Sequence, residues 1–183
     1  MPYATPTGYY VKKYVDGATD ISASTSSGGK RHSWITFRLG EFLLNYAEAM
    51  YELGTTGKAL DDALNISLNL VRLRVNPDMP KLTTSFASEN SLNMREEIRR
   101  ERTIELYNEG FRIDDLKRWN TAIVEMPKPI LGVKWTGTDF ATSWAGASNM
   151  AKDSDGCLIL ENSRRWGSKN DLYPLPVDQC QLN

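Results

Sequence analysis

The charged stretch from Arg95 to Trp119, REEIRRERTIELYNEGFRIDDLKRW, decides the fold class of this chain. Side chains of both charges recur in it every three or four residues, which is the spacing of neighbours on one face of a helix. The recurring positions are Arg102, Glu105, Glu109 and Arg112. This pattern predicts a helix whose charged residues form ion pairs.

Local signals give the bounds of the helices in this stretch. Asn93 stands three residues before Glu96, a spacing similar to a capping box, and predicts the start of the first helix. Gly110 predicts its end, because glycine favours helix termini. The segment 111–123 then predicts a second, short helix, which Pro127 closes.

The mixed charge of the stretch argues against nucleic-acid binding. A nucleic-acid interface carries an excess of Lys and Arg, whereas glutamates on this face would repel phosphate. The planar guanidinium of arginine binds carboxylates two hydrogen bonds at a time. The sequence therefore predicts a structural ion-pair network that joins the two helices, with Trp119 packed over it and Arg118 stacked on its ring. The network residues are Glu101, Arg102, Glu105, Glu109, Arg112, Asp115, Arg118 and Trp119.

Two further helices are predicted upstream. Apolar residues follow helical spacing after Ser33, the expected N-cap, up to Gly54, the expected stop. A second apolar pattern spans 58–75 and ends before a proline. The short link between them predicts an antiparallel hairpin, whose small residues are typical of a tetratricopeptide unit.

The remaining sequence is loop-rich, so the expected fold is a single, mainly α domain. Residues 1–32 predict an extended arm and a flexible Gly/Ser-rich loop, and 33–126 the helical core. Residues 127–183 predict a loop-rich insert and an extended tail. Short β-strands are expected near 131–135 and 157–160.

Composition excludes several classes of function. The 183 residues carry a net charge of −1, so no global field attracts nucleic acid. The single histidine, His32, and two cysteines, Cys157 and Cys180, do not have the spacing of a zinc site. No catalytic constellation is recognised, and neither a metal nor a cofactor is expected.

Four segments, in this order, resemble the C-terminal half of the SusD/RagB family, the glycan-capturing outer-membrane lipoproteins of Bacteroidetes-type polysaccharide uptake systems. They are RLGEFLLNYAEAMYELG, ALNISLNLVRLRV, the charged stretch and DLYPLPVDQ. The string E-R-x-x-E-L-x-x-E-G-x-R-x-x-D-L-x-R-W, from Glu101 to Trp119, is the most specific part. The resemblance covers roughly residues 7–183.

The resemblance implies a helical scaffold that binds glycan without catalysis. It implies two partners: a polysaccharide or oligosaccharide, and a TonB-dependent SusC-like transporter over which the protein sits as a lid. The expected location is the extracellular face of the outer membrane. The chain would then be a C-terminal fragment, because neither a signal peptide nor a lipidated cysteine is found at its start.

The Trp-rich insert is the candidate sugar-binding region. Pyranose rings stack on flat aromatic side chains, while their hydroxyl groups need polar partners. The insert supplies both kinds, and burial in the core is the alternative for each tryptophan. The candidate residues are Trp135, Trp144, Trp166, Asn149, Asn162 and Arg165.

Two other functions remain open at this point. A tetratricopeptide-type adaptor would bind protein alone, through a concave surface poor in aromatic residues. A glycoside hydrolase would need two carboxyl groups about 5 to 10 Å apart across one sugar bond. The sequence singles out no such carboxyl pair.

Overall fold

The computed structural model describes residues 5, 7–9, 11, 13 and 35–173. These residues form two compact units, drawn from 30–112 and from 1–29 together with 113–183. The division falls between Arg112 and Ile113, whereas the sequence placed the end of the helical core at residue 126. Most of the predicted arm and loop over 1–32, and most of the tail, lie outside the described residues.

The first unit, here called the helical unit, consists of the described residues of 30–112. Its helices are α1 (Leu39–Glu52), α2 (Gly57–Asn65), α3 (Leu68–Val75), α4 (Thr84–Glu89) and α5 (Met94–Glu105). They enclose one apolar cluster made of Leu44, Ala47, Leu60, Leu64, Leu68, Val71, Leu82, Ile98 and Leu106. Full burial of such a side chain contributes about 1.5–3 kcal/mol, so this cluster is the main source of stability in the unit.

The upstream helices differ from their predicted bounds. Residues 35–38 are not helical, and α1 begins at Leu39, while the predicted cap Ser33 lies outside the described residues. The predicted helix over 58–75 is wrong as one element, because it is broken at Ser67 into α2 and α3. The Ser67 hydroxyl donates to the carbonyl oxygen of Ala63 at 2.5 Å, and its backbone leaves the helical region.

Side-chain caps mark the next two helices. The Asn93 side chain accepts a hydrogen bond from the backbone N–H of Glu96 at 3.3 Å, which confirms the predicted start of α5. The α4 helix was not predicted from the sequence. Thr83 caps it by accepting from the Phe86 N–H at 3.1 Å. A threonine followed three residues later by a phenylalanine is a weak signal, and six residues are too few for a clear period.

The second unit, here called the sheet unit, comprises the described residues of 1–29 and of 113–183. The predicted helix over 111–123 is wrong as one element, because the chain turns at Asn120, whose φ is 55°. Two short 3₁₀ turns, Ala145–Ala147 and Ser168–Asp171, accompany the other elements. The other elements of the unit are α6 (Arg112–Arg118), whose first residue belongs to the helical unit, α7 (Ala122–Glu125), β1 (Ile130–Lys134), α8 (Phe140–Ser143) and β2 (Cys157–Glu161).

The two strands pair antiparallel, so both predicted strands are confirmed. The register places Leu131 opposite Ile159, and the pairing is irregular on both sides of Leu131. The Val133 N–H donates to the carbonyl oxygen of Thr7 at 2.9 Å. A Cβ at Gly132 would lie only 3.0 Å from that same oxygen, so glycine permits this close approach of the backbones.

The fold of the described residues is therefore mainly helical with one small sheet, as predicted. Beside the sheet lies a second, smaller apolar cluster of Val133, Trp135, Ala147 and Leu158. No helix within the described residues has the length and apolar character to cross a bilayer.

Candidate functional site

Arg38 is the centre of the ion-pair network in the helical unit. It lies immediately before α1, and its Nε donates to both carboxylate oxygens of Glu109 at 2.9 and 3.0 Å. Its Nη1 donates to Glu105 Oε1 at 2.5 Å. The hydrogen bond to Glu109, more than any other contact, raises the pKa of the Arg38 guanidinium. The network therefore ties the start of α1 to the end of α5.

Two arginines of α3 extend this network. Arg72 Nη1 donates to Glu101 Oε1 at 2.7 Å, and both side chains are about nine-tenths buried or more. Burial raises the pKa of Glu101, and the positive charge of Arg72 offsets part of this effect. Arg74 reaches Glu105 at 2.7 Å from a more exposed position. Each glutamate on this face thus has an arginine partner.

The other predicted network residues of the helical unit contact polar and aromatic groups. Arg102 donates to Asn45 Oδ1 at 2.6 Å, and its guanidinium lies 5.5 Å from the centre of the Phe111 ring. Arg112 donates to Thr103 Oγ1 at 2.8 Å. These contacts hold the end of α5 and the chain that follows it in one arrangement.

In the sheet unit, α6 carries the last members of the predicted set. Asp115 is buried, and its Oδ1 accepts a hydrogen bond from Arg118 Nη2 at 2.9 Å. The structure also brings Arg118 and Trp119 together, with the guanidinium 5.1 Å from the centre of the indole ring. These pairs lie one to three residues apart in sequence and stabilise the short helix locally.

Two of the candidate sugar-binding tryptophans pack against each other. Trp135 is only 6% exposed and belongs to the apolar cluster of the sheet unit. Trp144 is half-buried and meets it edge to face, with ring centres 6.1 Å apart. Lys152 lies 5.7 Å from the centre of the Trp135 ring. In this structure Trp135 is a core residue, and Trp144 packs against its ring.

The other candidates lie nearer to solvent. Trp166 is half-buried, and its indole N–H donates to Asp171 Oδ1 at 2.9 Å. Asn149, Asn162 and Arg165 are exposed. The exposed amides and guanidinium remain accessible to hydroxyl groups of a ligand, which suits the polar half of a sugar contact.

Comparison with known proteins identifies the family of the chain. The SusD family model matches residues 3–183 of the chain. The chain belongs to the SusD family. No curated protein sequence is significantly similar to this SusD-family chain.

Solved structures agree with the family assignment. One is a SusD-like carbohydrate binding protein from Bacteroides fragilis, with 26% sequence identity and a TM-score of 0.59 over 77% of this chain. A second is a SusD-like protein from the same organism, with 28% identity and a TM-score of 0.52 over 80% of this chain. The matches cover 26% and 23% of those two chains, so this SusD-family chain spans about a quarter of their length.

Other candidate sites in this SusD-family chain present few polar groups that could bind a ligand. Among the described residues, no three His, Cys, Asp or Glu side chains are grouped so that they could hold a metal ion. Two shallow cavities of about 310 and 330 Å³ lie in the helical unit. Their walls are mainly apolar, with hydroxyl groups of Tyr51 and Thr84 in the first and Arg38 and Arg74 in the second.

Sequence reasoning missed the main arginine partners, Arg38, Arg72 and Arg74. A signal for two of them was present, because VRLRV places two arginines among apolar residues of a helix. A charge that is buried, as that of Arg72 is, requires a partner. Nothing near Arg38 indicated its role, because it precedes α1 and its partners lie 67 and 71 positions away.

Proposed function

We propose that this SusD-family chain is a non-catalytic, glycan-binding component of an outer-membrane nutrient uptake complex. It captures a polysaccharide or oligosaccharide at the extracellular face and works with a TonB-dependent SusC-like transporter. The observation that carries the proposal is the family match over residues 3–183. The similarity to a carbohydrate binding protein from Bacteroides fragilis supports it further.

The proposed contact region is the Trp-rich insert of the sheet unit. Trp166 and Trp144 are half-buried, so part of each ring remains available for stacking on a pyranose. The nearby sequence supplies exposed polar groups at Asn149, Asn162 and Arg165. Trp135 is assigned a supporting role, because its burial leaves almost no ring surface for a ligand.

An adaptor that binds protein is the second candidate, since the helical unit exposes large apolar side chains. Phe37, Leu39 and Phe42 are 69%, 71% and 58% exposed. Contiguous exposed apolar surface is typical of interaction sites. This surface and the Trp-rich insert belong to different units, so the two functions are separable by mutation.

The test is calorimetric titration of the purified chain with four soluble polysaccharides: starch, laminarin, galactomannan and polygalacturonate. Stacking on one ring contributes about 0.5–1.5 kcal/mol beyond its area, which corresponds to roughly 2- to 12-fold in affinity. Trp166→Ala should therefore weaken binding several-fold. Phe42→Ala, which removes an exposed ring from the helical unit, is the matched control and should leave the affinity unchanged.

A reducing-end assay on the same samples tests the non-catalytic part of the proposal. No release of reducing ends is expected from any of the four polysaccharides. Release that survives purification and is abolished by substitution of a single carboxylate would make the protein a hydrolase. If the unmodified chain binds none of the four glycans, the glycan-binding proposal fails and the adaptor function is favoured.

A further inference from the structure

Five side chains of the sheet unit form a polar and aromatic group, here called the Lys117 cluster. The ammonium of Lys117 lies 4.1 Å from the centre of the Tyr173 ring and 5.9 Å from that of Trp166. The other two members are Asp114 and Asp171. One ammonium therefore borders both rings, and the two aromatic side chains line the same small volume.

Each ring of the cluster is held at its polar tip. The Tyr173 hydroxyl donates to Asp114 Oδ1 at 2.7 Å, and the Trp166 indole N–H donates to Asp171 Oδ1 at 2.9 Å. The bond to Asp114 raises the pKa of Tyr173, and the phenol is a donor at neutral pH. Rings that are already oriented lose less side-chain freedom when a ligand stacks on them.

The cluster leaves hydrogen-bonding capacity unused. Among the described residues, the Lys117 ammonium makes no hydrogen bond, and its contacts are the two ring faces. The second carboxylate oxygen of Asp114, and that of Asp171, likewise accept no hydrogen bond from described residues. The group thus holds three ammonium donors and two carboxylate acceptors that are available to a ligand.

Tyr173 presents the surface for stacking. It is 73% exposed, although its hydroxyl is anchored and one face is in contact with Lys117. A tyrosine whose role was packing would bury most of its ring, since aromatic side chains gain stability by leaving water. The exposed and oriented ring of Tyr173 is therefore better suited to contact with a ligand than to packing in the core.

We infer that the Lys117 cluster is a subsite for one neutral pyranose unit of a glycan. The apolar face of the sugar stacks on Tyr173, Lys117 donates to ring or hydroxyl oxygens, and Asp114 and Asp171 accept hydrogen bonds from hydroxyl groups. Two carboxylates at the rim favour hydroxyl donors over the carboxylates of an acidic sugar. The inference rests on the proposed glycan-binding function and names residues and a ligand class within it.

Variants of Tyr173 and Lys117 test the subsite in the full chain with the four polysaccharide probes named above. Tyr173→Ala should weaken binding of a neutral probe about 5- to 10-fold, from loss of stacking. Tyr173→Phe keeps the ring and should bind within about twofold of the unmodified chain. Lys117→Met removes the donors but keeps the stem, and should weaken binding about 3- to 10-fold.

Thermal denaturation of every variant separates binding from folding, because an exposed ring can be removed without unfolding the unit. A neutral glycan that binds the unmodified chain and all three variants equally well overturns the subsite and leaves the proposed function standing. Binding of polygalacturonate alone overturns the neutral-sugar assignment. Binding of no probe by the unmodified chain overturns the proposed function and the subsite together.

Discussion

In the helical unit, the glutamates of α5 are paired with arginines, whereas in the sheet unit several charged groups remain available to a ligand. Arg72 and Glu101 lie buried against each other, and Arg38 binds two glutamates at once. Lys117 instead faces two aromatic rings, and Tyr173 is largely exposed. An internal network fixes geometry, while oriented groups at the surface are what recognition needs.

Removal of one partner from the buried pair should have the largest effect. Glu101→Ala leaves the Arg72 guanidinium buried without its carboxylate, and should lower the free energy of unfolding by about 3–5 kcal/mol. Urea denaturation followed by circular dichroism measures this. The double variant Arg72→Met with Glu101→Leu is the control, and should recover most of the loss because no charge remains buried. A loss below about 0.5 kcal/mol, as for an exposed pair, would contradict the buried network.

Trp135 probes the core of the other unit. Trp135→Ala empties a ring-sized space in the apolar cluster that also contains Val133 and Leu158, and should cost about 3 kcal/mol of stability. Thermal denaturation measures it, and Trp166→Ala is the matched control, which should cost clearly less because Trp166 is only half-buried. If Trp135→Ala weakens glycan binding without loss of stability, Trp135 is a contact residue after all.

Gly40 tests how rigidly the network holds Arg38. A Cβ at position 40 would lie 2.5 Å from Arg38 Nη1 and 3.2 Å from Glu105 Oε1. Gly40→Ala therefore forces the guanidinium to move, and should destabilise by about 1–3 kcal/mol, as other overpacked sites do. The double variant Gly40→Ala with Arg38→Ala relieves this clash, so the two losses should not add. If the stability losses of Gly40→Ala and Arg38→Ala add strictly, the Arg38 guanidinium moves freely.

The smallest expected effect is on the pH dependence of stability, to which the buried carboxyl group of Glu101 contributes. Burial raises the pKa of Glu101 in the folded chain above its ordinary value of 4.5, so the folded state holds this proton more tightly than the unfolded state. The contribution of Glu101 to stability should therefore rise as pH falls from neutral toward 4.5. Compared with Glu101→Gln, the unmodified chain should gain in free energy of unfolding over that range. A relative loss instead would mean that Arg72 lowers the pKa of Glu101.

The comparison also separates what the sequence could predict from what it could not. The start of α5 and both strands were predicted, because a cap and the strand preference of a short run of residues act within three to five residues. The break at Ser67 was not, because a single side-chain hydrogen bond to Ala63 competes with a helix that the apolar pattern favours. The candidate sugar contacts stay predictions, although the structure separates the buried Trp135 from the more exposed Trp166.

The sequence by itself determined the family, the mainly helical fold and the face of α5 that carries glutamates, because spacing along one helix fixes which residues are neighbours. Only the tertiary structure decided which arginines meet those glutamates. Arg38 and Arg72 reach them across 71 and 29 positions of the chain. It likewise decided that Lys117 meets Tyr173, 56 residues later, in one cluster. Such pairings depend on how separate elements pack, and packing sums many weak contacts that no local pattern records.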